Sequence, residues 1–147
     1  MRFFRTLLLI AIALPPALGL AQSVQTSDVS SLSKAAGCQG RNPNFGLSQA
    51  ALNPPVSTIK MNNDGGWCWA QFAIHPYNAA RPTAPETRIT KSPAHGIAIT
   101  GPVENGQHAR LAYRPQPGFS GTDEFEISFQ SITNGWLPMI VQVTVGQ

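Results

Sequence analysis

The sequence predicts an all-β sandwich of about seven short strands, and three observations carry that expectation. Eleven of the 13 prolines and eleven of the 13 glycines lie beyond Cys38, recurring at short intervals. The runs between them are β-branched or alternate apolar with polar residues, the period of a strand with one buried face. No amphipathic helical period competes with them.

In chain order, residues 22–37 are rich in serine and small side chains, with Ser27 as a candidate N-cap and Gly37 as a stop. They read as one short helix or a loose tail. Strands follow at 56–61, 67–74, 87–92, 96–100, 110–114, 123–129 and 137–145. The signals Asn62-Asn63-Asp64-Gly65-Gly66, Glu104-Asn105-Gly106 and Thr133-Asn134-Gly135 punctuate them as turns.

Parity assigns the faces, because successive strand residues point to opposite sides of a sheet. Phe125, Ile127 and Phe129 share a core face against Glu124, Glu126 and Ser128. Met139, Val141, Val143 and Val145 do the same against Ile140, Gln142 and Thr144. In 67–74, Cys68, Ala70, Phe72 and Ile74 fall on the core side, and Trp67, Trp69, Gln71 and Ala73 on the outer side.

The first 21 residues carry Arg2 and Arg5, an apolar run at 7–14, Pro15-Pro16, and small residues at Gly19 and Ala21. That is the pattern of a secretory signal, so residues 1–21 are expected to be removed and the protein exported, to the periplasm or the exterior. The apolar run is too short for a lasting span of a core about 30 Å thick. No integral span is expected in the mature chain. Without Arg2 and Arg5, eight basic residues face seven acidic ones, a formal charge of +1. With no basic cluster left, nucleic acid is not an expected partner. Cys38 and Cys68 in an exported chain are expected to form one disulfide.

From His95 onward the chain resembles the bacterial Ig-like and cadherin-like repeats of secreted and surface proteins. The residues that carry the resemblance are Tyr113, Pro115, Gly118, Phe119, Gly121, Asp123 and Phe125, in the spacing Y-x-P-x-x-G-F-x-G-x-D-x-F, followed by a closing V-x-V. The matched region covers about a third of the chain, one copy only. It implies an Ig-like sandwich spanning 38–147 that serves adhesion, presentation or ligand binding without catalysis. Physically, the prolines stop strand pairing and the glycines permit backbone angles closed to other residues. Phe119 can plug the turn, and Asp123 can accept backbone N–H bonds across the corner. No acidic run follows the domain, so calcium of the kind held between tandem repeats is not expected, nor is any other cofactor.

Catalytic groups are scattered. Asp64, Glu86, Glu104, Asp123, Glu124 and Glu126 occupy turn or surface positions, and no G-x-S-x-G or H-E-x-x-H motif occurs. Glu124 and Glu126 share a strand face about 7 Å apart, which reads as a solvated face rather than a glycosidase pair. His75, His95 and His108 lack ligand spacing for a metal. The functional signal is aromatic. Two adjacent outward indoles approach the few-hundred-Å² patch that marks an interaction site. Either Trp67 and Trp69 are covered within the chain, by the disulfide-tethered N-terminal segment or the proline-rich loop at 77–85, or they dock a glycan or protein of the cell envelope. Gln71 and Trp136 are candidates to join them. The expected function is therefore an exported, non-enzymatic binding or adhesion module; the alternatives are a structural subunit of a surface complex and, third, a secreted hydrolase.

Overall fold

Where apolar and polar residues alternate, the chain is extended. The computed structural model describes residues 29, 31–41, 53–72, 86–102, 109–131 and 135–147. Their strands are β1 (Gln39–Arg41), β2 (Val56–Asn62), β3 (Cys68–Phe72), β4 (Thr87–Lys91), β5 (Gly96–Pro102), β6 (Ala109–Pro115), β7 (Gly121–Ser131) and β8 (Gly135–Gly146). No helix occurs among the described residues.

Seven of these eight strands answer to predicted ones. The addition is β1, whose three residues are all exposed. A run this short with no buried side chain leaves no alternation to read; its pairing with β2, Gln39 opposite Lys60, defines it. The described part of 22–37 is also not helical. Its backbone bonds go to another segment: Ala35 donates to the Trp67 carbonyl at 2.8 Å, and Trp67 donates to Ser33 at 2.9 Å.

Two sheets result. One has the order β1-β2-β8-β7-β4 and the other β3-β6-β5. All pairings are antiparallel except β2 with β8, which runs parallel from Val56 opposite Ile140 to Asn62 opposite Gly146. The central strand β8 buries every second side chain from Leu137 to Val145. Beside it, β7 buries Phe125, Ile127 and Phe129. Across the interlayer space lie Cys68, Ala70, Leu111 and Tyr113 of the smaller sheet, in the same core. Each large apolar side chain fully withdrawn from water here stabilises the fold by about 1.5–3 kcal/mol.

The expected disulfide is present, joining Cys38, just before β1, to Cys68 in β3 across 30 residues. It fastens the segment ahead of β1 to the smaller sheet. Two further bonds hold the same segment from the end of β2 and the turn after it: Asn62 donates to the Ala36 carbonyl at 3.2 Å, and Ala36 donates to Asp64 Oδ2 at 2.6 Å. Asp64 also accepts from the Gly66 amide at 3.0 Å. These amide donors stabilise the charged carboxylate and hold its pKa below the ordinary 3.8.

Candidate functional site

The register of the smaller sheet sets its outer face. Trp69, Ala112 and Ile99 form one row across β3, β6 and β5, and Gln71, Arg110 and Gly101 form the next. Arg114 and Ile97 form a third, with Trp67 beside Arg114 at the start of β3. The parity that sends Cys68 and Ala70 into the core therefore puts Trp67, Trp69 and Gln71 on this face.

This face is not simply solvated. Val29, Ile99 and Ala112 are buried in a second apolar cluster, with Leu32, Trp67 and Trp69 partly buried against it. The segment around 29–36 lies over the sheet, bridged in parallel through Lys34 and Trp67. Both indoles are thus half-covered from within the chain. The proline-rich loop at 77–85 lies outside the described residues.

Cations occupy the indoles. The Arg110 guanidinium sits 4.9 Å from the Trp69 ring centroid, Lys34 Nζ is 5.6 Å from the same ring, and Arg114 lies 4.8 Å from Trp67. Each contact contributes roughly 0.5–1 kcal/mol where exposed and about 2 where water is excluded. Arg110 is tied down: it donates to the Val29 carbonyl at 3.0 Å and to Gln71 Oε1 at 3.3 Å. Its Nε is buried without a partner among the described residues. Among the described residues the Arg114 guanidinium has no partner besides its indole, and no carboxylate pairs with Lys34, Arg110 or Arg114. Beside Arg114 opens a shallow groove of about 390 Å³ walled by Ile97, Pro115 and Pro117.

Trp136 is elsewhere. It belongs to β8, opposite Gln130, and points out from the five-stranded sheet with the Arg88 guanidinium 4.0 Å from its centroid. The chain therefore brings Trp67, Trp69 and Gln71 together and leaves Trp136 on the other sheet. Lys34, Arg110 and Arg114 complete the face and were not singled out by sequence. Alternation along β6 would have put Arg110 and Arg114 on one side of that strand. Which side faces the tryptophans depends on the β3–β6 register.

The turn residues form a separate construction at the β6–β7 corner. Asp123, buried, accepts from the amides of Ala94 at 3.0 Å, His95 at 2.8 Å and Glu124 at 2.9 Å, and from the Tyr113 hydroxyl at 3.0 Å. Tyr113 also lies 3.1 Å from the His95 carbonyl and packs against Phe125 at a centroid distance of 6.1 Å. Burial first, then the Asp123 carboxylate, pushes the tyrosine pKa well above its ordinary 10.0. Phe119 stacks on His95 at 4.5 Å, packs against the core, and has its carbonyl held by Asn63 Nδ2 at 2.9 Å. Gly118 and Gly121 take φ of 79° and 129°, Pro115 ends β6, and all of these serve the turn's geometry. With four donors already on it, Asp123 has the surroundings of a structural carboxylate rather than a proton acceptor for a substrate.

Glu124 and Glu126 converge on a lysine, and Glu86, exposed ahead of β4, has no ion pair among the described residues. Glu124 and Glu126 lie 3.3 and 3.7 Å from Lys91 Nζ on the outer face of the large sheet. Such exposed pairs contribute about 1 kcal/mol or less. Among the described residues no cluster of three or more His, Cys, Asp or Glu could hold a metal ion. His75, His108 and Glu104 lie outside those residues.

Comparison with protein-family models, with characterised proteins and with solved structures gave no match.

Proposed function

We propose that this chain is an exported, non-catalytic Ig-like module of a bacterial envelope or secreted assembly, and that it binds a glycan or protein on the outer face of β3-β6-β5. The Ig-like reading is supported by strand order. Taken from β3, the sheets β3-β6-β5 and β4-β7-β8 reproduce the B-E-D and C-F-G orders of the immunoglobulin sandwich. Two features depart from it. The leading strand β2 lies beside β8, and the disulfide leaves β3 for the segment before β1 rather than for β7.

The observation that carries the binding reading is the set of three cations on two half-covered indoles, none paired to a carboxylate among the described residues. Aromatic and arginine side chains are the residues enriched where interfaces derive their energy. The test is indole emission of residues 22–147 titrated with polysaccharide and with soluble protein prepared from the producing cell's envelope. A saturable change that persists in Trp136→Phe is the expected result. No change with either fraction, or a change abolished by Trp136→Phe alone, would overturn the assignment to this face.

A second reading, a structural subunit of a surface complex, is favoured by Ile97, which is 44% exposed on the edge strand β5. Copurification in a complex of fixed stoichiometry, with no response to either soluble fraction, is its signature.

A further inference from the structure

We infer that the partner seated on this face is a protein segment carrying a carboxylate side chain next to an apolar one, with the carboxylate on Arg114 and the apolar group in the groove walled by Ile97, Pro115 and Pro117. The inference rests on the binding reading above and narrows it to one class of partner.

The indoles decide against a neutral sugar platform. A sugar ring stacks on an open aromatic face, but Trp67 carries Arg114, and Trp69 carries both Arg110 and Lys34. What this surface presents to a ligand is positive charge, oriented by the rings beneath. The two arginines differ in how they are used. Arg110 spends donors on Val29 and Gln71 and clamps the N-terminal segment to the sheet. Arg114 is half-buried against Trp67 with its fork of N–H donors unclaimed among the described residues. A guanidinium 4.8 Å from the indole centroid, with no other side-chain partner among the described residues, keeps its N–H donors for a carboxylate, the bidentate acceptor that suits arginine.

The groove narrows the choice between a uronate-bearing glycan and a peptide. Ile97, Pro115 and Pro117 give it apolar walls, and the Asn63 amide that borders it already donates to the carbonyls of Gln116 and Phe119. Arg114 and Gln116 are the other polar side chains along it, fewer than the hydroxyls of a sugar ring need, and each hydroxyl buried without a partner costs binding energy. A leucine, isoleucine or phenylalanine side chain meets no such penalty and covers Ile97. An acidic residue beside an apolar one supplies both halves of the match.

The test is selection of a random heptapeptide library on residues 22–147, wild type against Arg114→Gln and Arg114→Lys, with a panel of neutral and uronate-bearing polysaccharides titrated in parallel. Thermal unfolding of each variant confirms that it is folded. The wild type is expected to enrich peptides with Asp or Glu adjacent to Leu, Ile, Val or Phe. Arg114→Gln is expected to weaken binding of a synthesised winner by about ten- to a hundredfold, the loss for hydrogen bonds to a charged group. Arg114→Lys, which keeps the charge but not the fork, should fall between. Enrichment without acidic residues, or equal enrichment on Arg114→Gln, would overturn the inference. Saturable binding of a polysaccharide with no peptide enrichment would overturn it while leaving the binding reading intact. Failure of both arms would count against both.

Discussion

Replacing Tyr113 by phenylalanine removes one hydroxyl from the most tightly bonded corner of the domain. The hydroxyl proton goes to Asp123 Oδ2 at 3.0 Å or to the His95 carbonyl at 3.1 Å. A hydrogen bond to a charged acceptor contributes about 1.5–3 kcal/mol. The lower part of that range applies, because neither acceptor is stranded: Asp123 keeps three amide donors, and the His95 carbonyl keeps the Gln116 amide at 2.9 Å. The expected loss is about 1.5–2 kcal/mol at pH 7. Alkaline pH provides an independent check. A tyrosine pKa raised on folding means that the native state holds its proton above pH 10.0, where the unfolded chain releases it. Stability is then fully present below pH 10.0 and falls as pH rises toward the folded value. Urea unfolding followed by tryptophan emission at pH 7 and pH 10.5 measures both effects. Tyr113→Phe should be less stable at pH 7 and should lose less between the two pH values than the wild type. A variant within about 0.5 kcal/mol of wild type at pH 7, where surface substitutions fall, or one with the same alkaline loss, would refute this account of the corner.

Asp123→Asn should cost more than Tyr113→Phe in the same assay, because an amide NH₂ in place of one carboxylate oxygen faces donors it cannot accept from. Breaking Cys38–Cys68 by double replacement with serine should lower stability by about 3–4 kcal/mol for a loop of 30 residues, read from the urea midpoint. For Asp64 the sign is opposite to that of Tyr113: its lowered pKa contributes stability above the ordinary 3.8, lost as pH falls through the folded value. Asp64→Asn should therefore flatten the acid limb of stability against pH. Arg110→Ala releases the Val29 carbonyl and uncovers Trp69, so acrylamide should quench its emission more efficiently than that of the wild type.

Alternation was enough to find β7 and β8, because each has one face in the core and one in water. It failed at β1, where Gln39, Gly40 and Arg41 are all exposed and only pairing with β2 makes a strand. The outer side of Trp67 and Trp69 was legible from parity, and cover by the N-terminal segment was one of the alternatives that the expected disulfide raised. That the cover is shared with Arg110, Arg114 and Lys34 was not. It depends on which residues of β3 and β6 stand opposite one another, and on a segment that crosses the sheet through a single bridge at Lys34. Trp136 illustrates the converse. Its residue type matched the other two tryptophans, but topology sends β8 to the other layer.

The most direct test of the binding face uses the three indole N–H signals of residues 22–147, one for each tryptophan, assigned with single Trp→Phe variants. Envelope-derived protein and polysaccharide, or a peptide obtained by selection, would be titrated in turn. The Trp67 and Trp69 signals should shift together and saturate while Trp136 stays in place. Shifts confined to Trp136, or none with any of these ligands, would contradict a binding surface on β3-β6-β5.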